Sequence, residues 1–202
     1  PKINSFELLF AETLNLISLY KKEGISIAAS LKGNLGEFLI AKEIALRYPT
    51  ASIKFRGGTF PGLDITINSV RIQVKTQIKH KRQAYKNGSY DYESSPTIKK
   101  KIIDDDMCDI IVLVILMPSD DFYKILKSHF YVFVKADFAM FSNVGCWSGK
   151  SKGDYSIMNI LDAVGTPTKK VQRELDHYQT DKYRELFKSS LNNWTKIDAL
   201  LK

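Results

Sequence analysis

The stretch Leu63-Asp64-Ile65-Thr66-Ile67-Asn68-Ser69-Val70-Arg71-Ile72-Gln73-Val74-Lys75 constrains this chain more than any other. Two β-branched runs flank an Asn-Ser pair, which is the pattern of a β-hairpin with a two-residue loop. With Asn68 and Ser69 in the loop, Ile67 pairs with Val70 and the ladder sets Asp64 opposite Gln73. Directly opposed residues on one sheet face have Cβ atoms about 5 Å apart. Lys75 shares that face because side chains alternate along a strand. Ile65, Ile67, Ile72 and Val74 then point to the opposite face, into a core. An acid, an amide and an ammonium are thus expected together at the open end of the hairpin, a place suited to holding a divalent cation and a water.

A second acid lies upstream. Lys32-Gly33-Asn34-Leu35-Gly36-Glu37 opens a helical pattern that runs to about Tyr48. Glu37 shares a stripe with Ile40, Ala41, Ile44 and Tyr48, which read as core-facing. A carboxylate on such a face is costly unless paired, protonated or bound to a metal. Gly33 and Gly36 are expected to let another backbone, or nucleic acid, come close.

Through these residues the chain resembles the PD-(D/E)xK nuclease superfamily, most closely the branch of Mrr-type endonucleases, Holliday-junction resolvases and type II restriction enzymes. The resemblance covers roughly residues 30 to 117 and rests on the G-x-x-G-E helix start, the P-G-x-D strand start and the Q-x-K strand end. It implies an α/β fold with a restriction-endonuclease-like core, a mixed central β-sheet flanked by helices. It also implies Mg²⁺ (with Mn²⁺ as a substitute) held by Glu37, Asp64 and Gln73, and Lys75 orienting the attacking water. Double-stranded DNA as substrate and a homodimer, so that two sites cut two strands, are further implications. Gln73 departs from the pattern, which more often has Asp or Glu there; its carbonyl can ligate a hard cation but brings no charge.

Each piece has a plainer reading. An acid and a lysine across a hairpin form a surface ion pair of little energetic weight, and an acid at a helix start is favoured by the macrodipole. Three pieces in the right order on the right elements are more specific than any one of them.

The net charge of +8 is concentrated. Residues 71 to 101 carry nine Lys or Arg and two acids, directly after the site strand. Such a patch suits a phosphodiester polyanion, though like-charge runs also occur as solvated loops. The candidate DNA contacts are Lys79, Lys81, Arg82, Tyr85 and Lys86, with Lys150 and Lys152 in a second Gly/Ser/Lys-rich loop. Gly149-Lys150-Ser151 invites a P-loop reading, but Gly145 lies at the wrong spacing for G-x₄-G-K-S/T.

No apolar run reaches the ~18 residues of a membrane span; the longest is Ile110 to Met117, which suits a buried strand. No secretory signal is read at Pro1-Lys2-Ile3-Asn4. Cys108 and Cys146 lack metal-ligand spacing and read as lone reduced thiols, so a cytoplasmic location is expected. His80, His129 and His177 are scattered and suggest neither a dyad nor a zinc site.

The organisation expected is a single domain over 1–202, with its core at about 30–140. A helix over 4–22 precedes it, and a helical extension over 168–202 closes the core or forms a dimer face. The function this points to is a Mg²⁺-dependent DNA endonuclease of the type II restriction kind, because the insertion after the hairpin and the C-terminal tail give room for sequence readout. A junction resolvase or repair nuclease, a DNA-binding protein with a decayed nuclease site, and a basic interaction protein remain as alternatives.

Overall fold

Ile110–Pro118 (β5) forms the spine of the molecule: all but one of its residues are buried. Even-numbered residues from Ile110 to Leu116 face one core, and Ile111, Leu113 and Ile115 face another. A strand buried on both faces must be an inner strand of a covered sheet, as the continuous apolar run suggested. The computed structural model describes residues 2–25, 29–56, 63–78, 97–119, 124–142, 154–156 and 181–201.

The elements in chain order are α1 (Lys2–Lys22), α2 (Ala29–Arg47), β1 (Ile53–Phe55), β2 (Ile65–Ile67), β3 (Val70–Ile78), β4 (Thr97–Lys99) and α3 (Lys100–Asp104). After β5 come β6 (Ile125–Val134), α4 (Lys135–Ser142), β7 (Asp154–Ser156), α5 (Asp181–Ser190) and α6 (Thr195–Leu201). Five strands form a mixed sheet in the order β1-β2-β3-β5-β6. Among the described strands only the β3–β5 pair is parallel. A small antiparallel β4–β7 pair stands apart from it.

Helices cover both faces. Leu14 and Ile17 of α1, Leu35, Ile40, Ala41 and Ile44 of α2, and Trp194 and Ile197 beside and within α6 pack on one face. Ile98, Ile102, Phe138, Phe141, Tyr183, Leu186 and Phe187 pack on the other. The architecture is α/β with a mixed sheet between helical layers. Among the described residues no helix is long and apolar enough to cross a membrane.

Local chemistry sets the helix ends. At the end of α1, Gly24 takes φ 68°, and Ile25 N–H bonds Tyr20 O at 2.7 Å. That is the wrapped ending glycine permits. Pro49 stops α2 two residues after Arg47. Asn192 takes φ 52° between α5 and α6. Its N–H donates to Phe130 O at 2.6 Å, binding this corner to the edge strand β6.

From residue 181 the chain forms two short helices, within the helical extension expected from the sequence. Their apolar residues Leu186, Phe187, Trp194 and Ile197 are buried in the two cores, so these helices help close the core. Helix α3 is short and directly preceded by β4, and neither β4 nor α4 was anticipated from the sequence.

Candidate active site at the end of the hairpin

The hairpin has the register that the sequence dictates: Ile67 faces Val70, Thr66 faces Arg71 and Ile65 faces Ile72. Asn68 adopts φ 54°, a conformation Asn tolerates better than most residues. It also fixes the neighbouring strand, exchanging bonds with Ser52 through its N–H (2.9 Å) and its Oδ1 (3.0 Å).

Asp64 ends the ladder. Its N–H donates to Ile72 O at 3.1 Å. Beyond this point β2 supplies no further carbonyl, and the Asp64 side chain takes over: Oδ2 accepts the Val74 N–H at 2.7 Å. Gln73 Nε2 donates to the same oxygen. Two donors thus lock the carboxylate, and among the described residues neither serves Oδ1. Gln73 is 3% exposed. Its Oε1 is buried and, among the described residues, has no hydrogen-bond partner. A buried acceptor left unpaired costs about 1–3 kcal/mol.

Glu37 is carried by α2, which packs on the opposite face of the sheet. Gly36 makes the approach possible. A Cβ there would lie 1.9 Å from Thr76 Oγ1 and 3.1 Å from Thr76 Cβ. Thr76 Oγ1 in turn donates to Gly33 O at 3.4 Å. Gly36 therefore serves packing of helix on sheet, where the sequence had left open an approach by nucleic acid. At Gly33 an added Cβ would lie 4.0 Å from Glu37 Oε1, in ordinary contact.

The electrostatics tie the residues together. Burial pushes the Glu37 carboxyl up to about 7; the Asp64 charge adds to this, and Lys75 partly offsets it. Burial likewise raises Asp64, against the lowering effects of the Val74 N–H and Lys75. Glu37 and Asp64 thus lie within electrostatic reach of one another and Lys75 within reach of both, while Gln73 is tied to Asp64 by its hydrogen bond. Among the described residues no group of three or more His, Cys, Asp or Glu side chains that could hold a metal ion occurs.

Lys79, Lys81, Arg82, Tyr85, Lys86, Lys150 and Lys152 lie outside the described residues. Sequence reasoning had passed over two cations on the hairpin's own sheet. Lys54 pairs in register with Thr66. Arg56 N–H donates to Asp64 O at 3.0 Å, and Arg56 Nε to Thr66 Oγ1 at 3.1 Å. The alternation Ile53-Lys54-Phe55-Arg56 was the available signal, since it puts both cations on the face of Asp64. Cys108 is a buried thiol that burial pushes up to about 12, far from a reactive state.

Compared with protein-family models, curated proteins and solved structures, the chain matches none of them.

Proposed function

We propose that this chain is a Mg²⁺-dependent endonuclease that hydrolyses phosphodiester bonds of double-stranded DNA, of the type II restriction kind. The observation that carries the reading is the Asp64–Gln73 pair, whose buried amide oxygen has no partner among the described residues, with Glu37 and Lys75 within electrostatic reach of Asp64. Two carboxylates and an amide oxygen without a partner are hard donors, and they fit a hard divalent cation. Glu37, Asp64 and Gln73 would hold Mg²⁺, or Mn²⁺ in its place. Such an ion, when bound, polarises a phosphoryl oxygen and acidifies a water.

The chain's own residues do the rest. The Val74 N–H and the Gln73 amide fix the Asp64 rotamer, so the ligand is held before substrate arrives. Lys75 lies within electrostatic reach of both acids. It orients the attacking water and offsets the negative charge that develops on the phosphate. Lys54 and Arg56, on the Asp64 face of the sheet, are suited to the flanking phosphates.

The test is incubation with mixed duplex and branched DNA in Mg²⁺, Mn²⁺ or EDTA, with the product ends sequenced. Discrete cuts in duplex DNA that need the metal support the reading. Preference for branched DNA makes the chain a resolvase. Salt-dependent binding without cleavage in either metal makes it a DNA-binding protein on a nuclease scaffold. Neither binding nor cleavage removes the nucleic acid from the account.

A further inference from the structure

We propose that the outward face of α1 pairs with the same face of a second copy of this chain, with the two helices antiparallel. The inward face of α1 is used up in the core by Leu14 and Ile17, yet Leu8 (61%), Leu9 (44%), Leu16 (37%) and Leu19 (52%) stand exposed on the other side. Together these leucines present roughly 350–400 Å² of apolar surface, as much as the largest patch on an ordinary monomer. Pairing two copies would bury about twice that from leucines alone, a large part of the ~1,600 Å² of a standard interface.

The spacing identifies the occupant. Ser5, Leu8, Glu12, Asn15, Leu19 and Lys22 follow one another at intervals of 3, 4, 3, 4 and 3, and all six are exposed. These positions have the 3-4 spacing of a coiled-coil seam, with Leu8 and Leu19 as its apolar members. It is also its own complement when read backwards. In an antiparallel pair Leu8 meets Leu19 of the other copy, Glu12 meets Asn15, and Ser5 meets Lys22. The Asn15 amide can then donate to the Glu12 carboxylate, twice over by symmetry. A parallel pair would set Glu12 against Glu12 and Lys22 against Lys22, so like charges disfavour it. Leu9 and Leu16 lie to one side of the seam and extend its apolar contact. This inference stands on α1 alone and does not depend on the chemistry at the hairpin.

Sedimentation equilibrium over about 1–100 µM tests it. The wild-type mass should rise with concentration towards twice the 23.0 kDa of the chain. L8K/L19K should weaken association at least about 10-fold while leaving the circular dichroism spectrum unchanged. L8K/L19E should restore the dimer, because each introduced lysine would face an introduced glutamate across the seam. If L8K/L19K proves unstable, L8S/L19S gives the same readout for loss of association. A wild type that stays monomeric overturns the proposal. So does a dimer that survives L8K/L19K and L8S/L19S, and L8K/L19E remaining monomeric overturns the antiparallel register.

Discussion

Replacing Gly36 with alanine tests how α2 delivers Glu37. The added Cβ would lie 1.9 Å from Thr76 Oγ1, 3.1 Å from Thr76 Cβ and 3.3 Å from Thr76 Cγ2. Carbon atoms in contact prefer about 3.5–4.0 Å. Rotating the threonine can move Oγ1 away, but it leaves the Cβ contact in place, so α2 must lift from β3. Overpacking of this kind costs about 1–3 kcal/mol. Alanine returns roughly 1 kcal/mol through helix propensity. The net expectation is a loss of about 1 kcal/mol and at most about 2, read as a lower urea midpoint at constant slope. T76A removes Oγ1 and Cγ2, so G36A should cost less in its presence, with a coupling of about 1 kcal/mol in the double-mutant cycle. If G36A instead raised the midpoint as helix propensity alone predicts, or if the two changes were additive, the close approach of α2 to β3 would be refuted.

Other consequences follow from the same geometry. Glu37 has its ordinary value of 4.5 when unfolded and about 7 when folded. The folded state thus holds the extra proton between those values, and the stability from this group is complete below pH 4.5 and lost as pH rises through 7. E37Q should therefore stabilise the metal-free protein by about 1–2 kcal/mol at pH 8, discounted for solvent screening, and by nothing at pH 4, measured by urea titration. D64A and K75A should each lower the cleavage rate at least about 100-fold while leaving DNA affinity nearly unchanged; wild-type rates in either variant would remove that residue from the mechanism. At the other end of β3, burial pushes Asp109 up, but bonds from Arg71 and Lys135 hold it well below the usual carboxylate range. That contribution is present above pH 3.8 and lost as pH falls, so R71A should cost about 1–3 kcal/mol at pH 7 and less in acid, by the same titration.

How far the sequence was legible depended on the range of the interactions involved. The hairpin was readable because its register follows from two adjacent runs and one Asn-Ser pair, all within thirteen residues of chain. The inner position of β5 was readable from its composition alone. Glu37 was singled out because an acid interrupted an apolar stripe. The β3–β5 pairing, Ile72 with Ile110 through Ile78 with Leu116, links segments separated by a long connection, and nothing local encodes it. The three-residue strands β4 and β7 escaped notice for the same reason, since each is defined only by the other. Helix α4 left a local signal: Asp137 Oδ2 accepts the Val134 N–H at 2.9 Å, an acid at a helix start. Phe138 and Phe141, spaced for one helix face, are both buried.

Gln73 is where the structure adds most to the sequence. As a letter it is a missing charge. In place, its amide donates to Asp64 Oδ2, which a carboxylate at this position could not do while ionised. With Glu37 already pushed up by burial and by Asp64, a third acid here would crowd two poorly solvated neighbours and deprive one of them of its donor. Q73E should therefore destabilise the metal-free protein above pH 7 by at least about 2 kcal/mol. The loss should fade towards pH 4, where the introduced acid is neutral. If Glu37, Asp64 and residue 73 jointly hold a divalent cation, millimolar Mg²⁺ should return more stability to Q73E than to the wild type, because the added charge then has a counterion. Urea titrations of both proteins at pH 8, with Mg²⁺ and with EDTA, measure each part separately. A Q73E protein as stable as the wild type in EDTA would show that the amide's bond to Asp64 does not hold the site together. Equal gains from Mg²⁺ in the two proteins would take residue 73 out of the cation's reach.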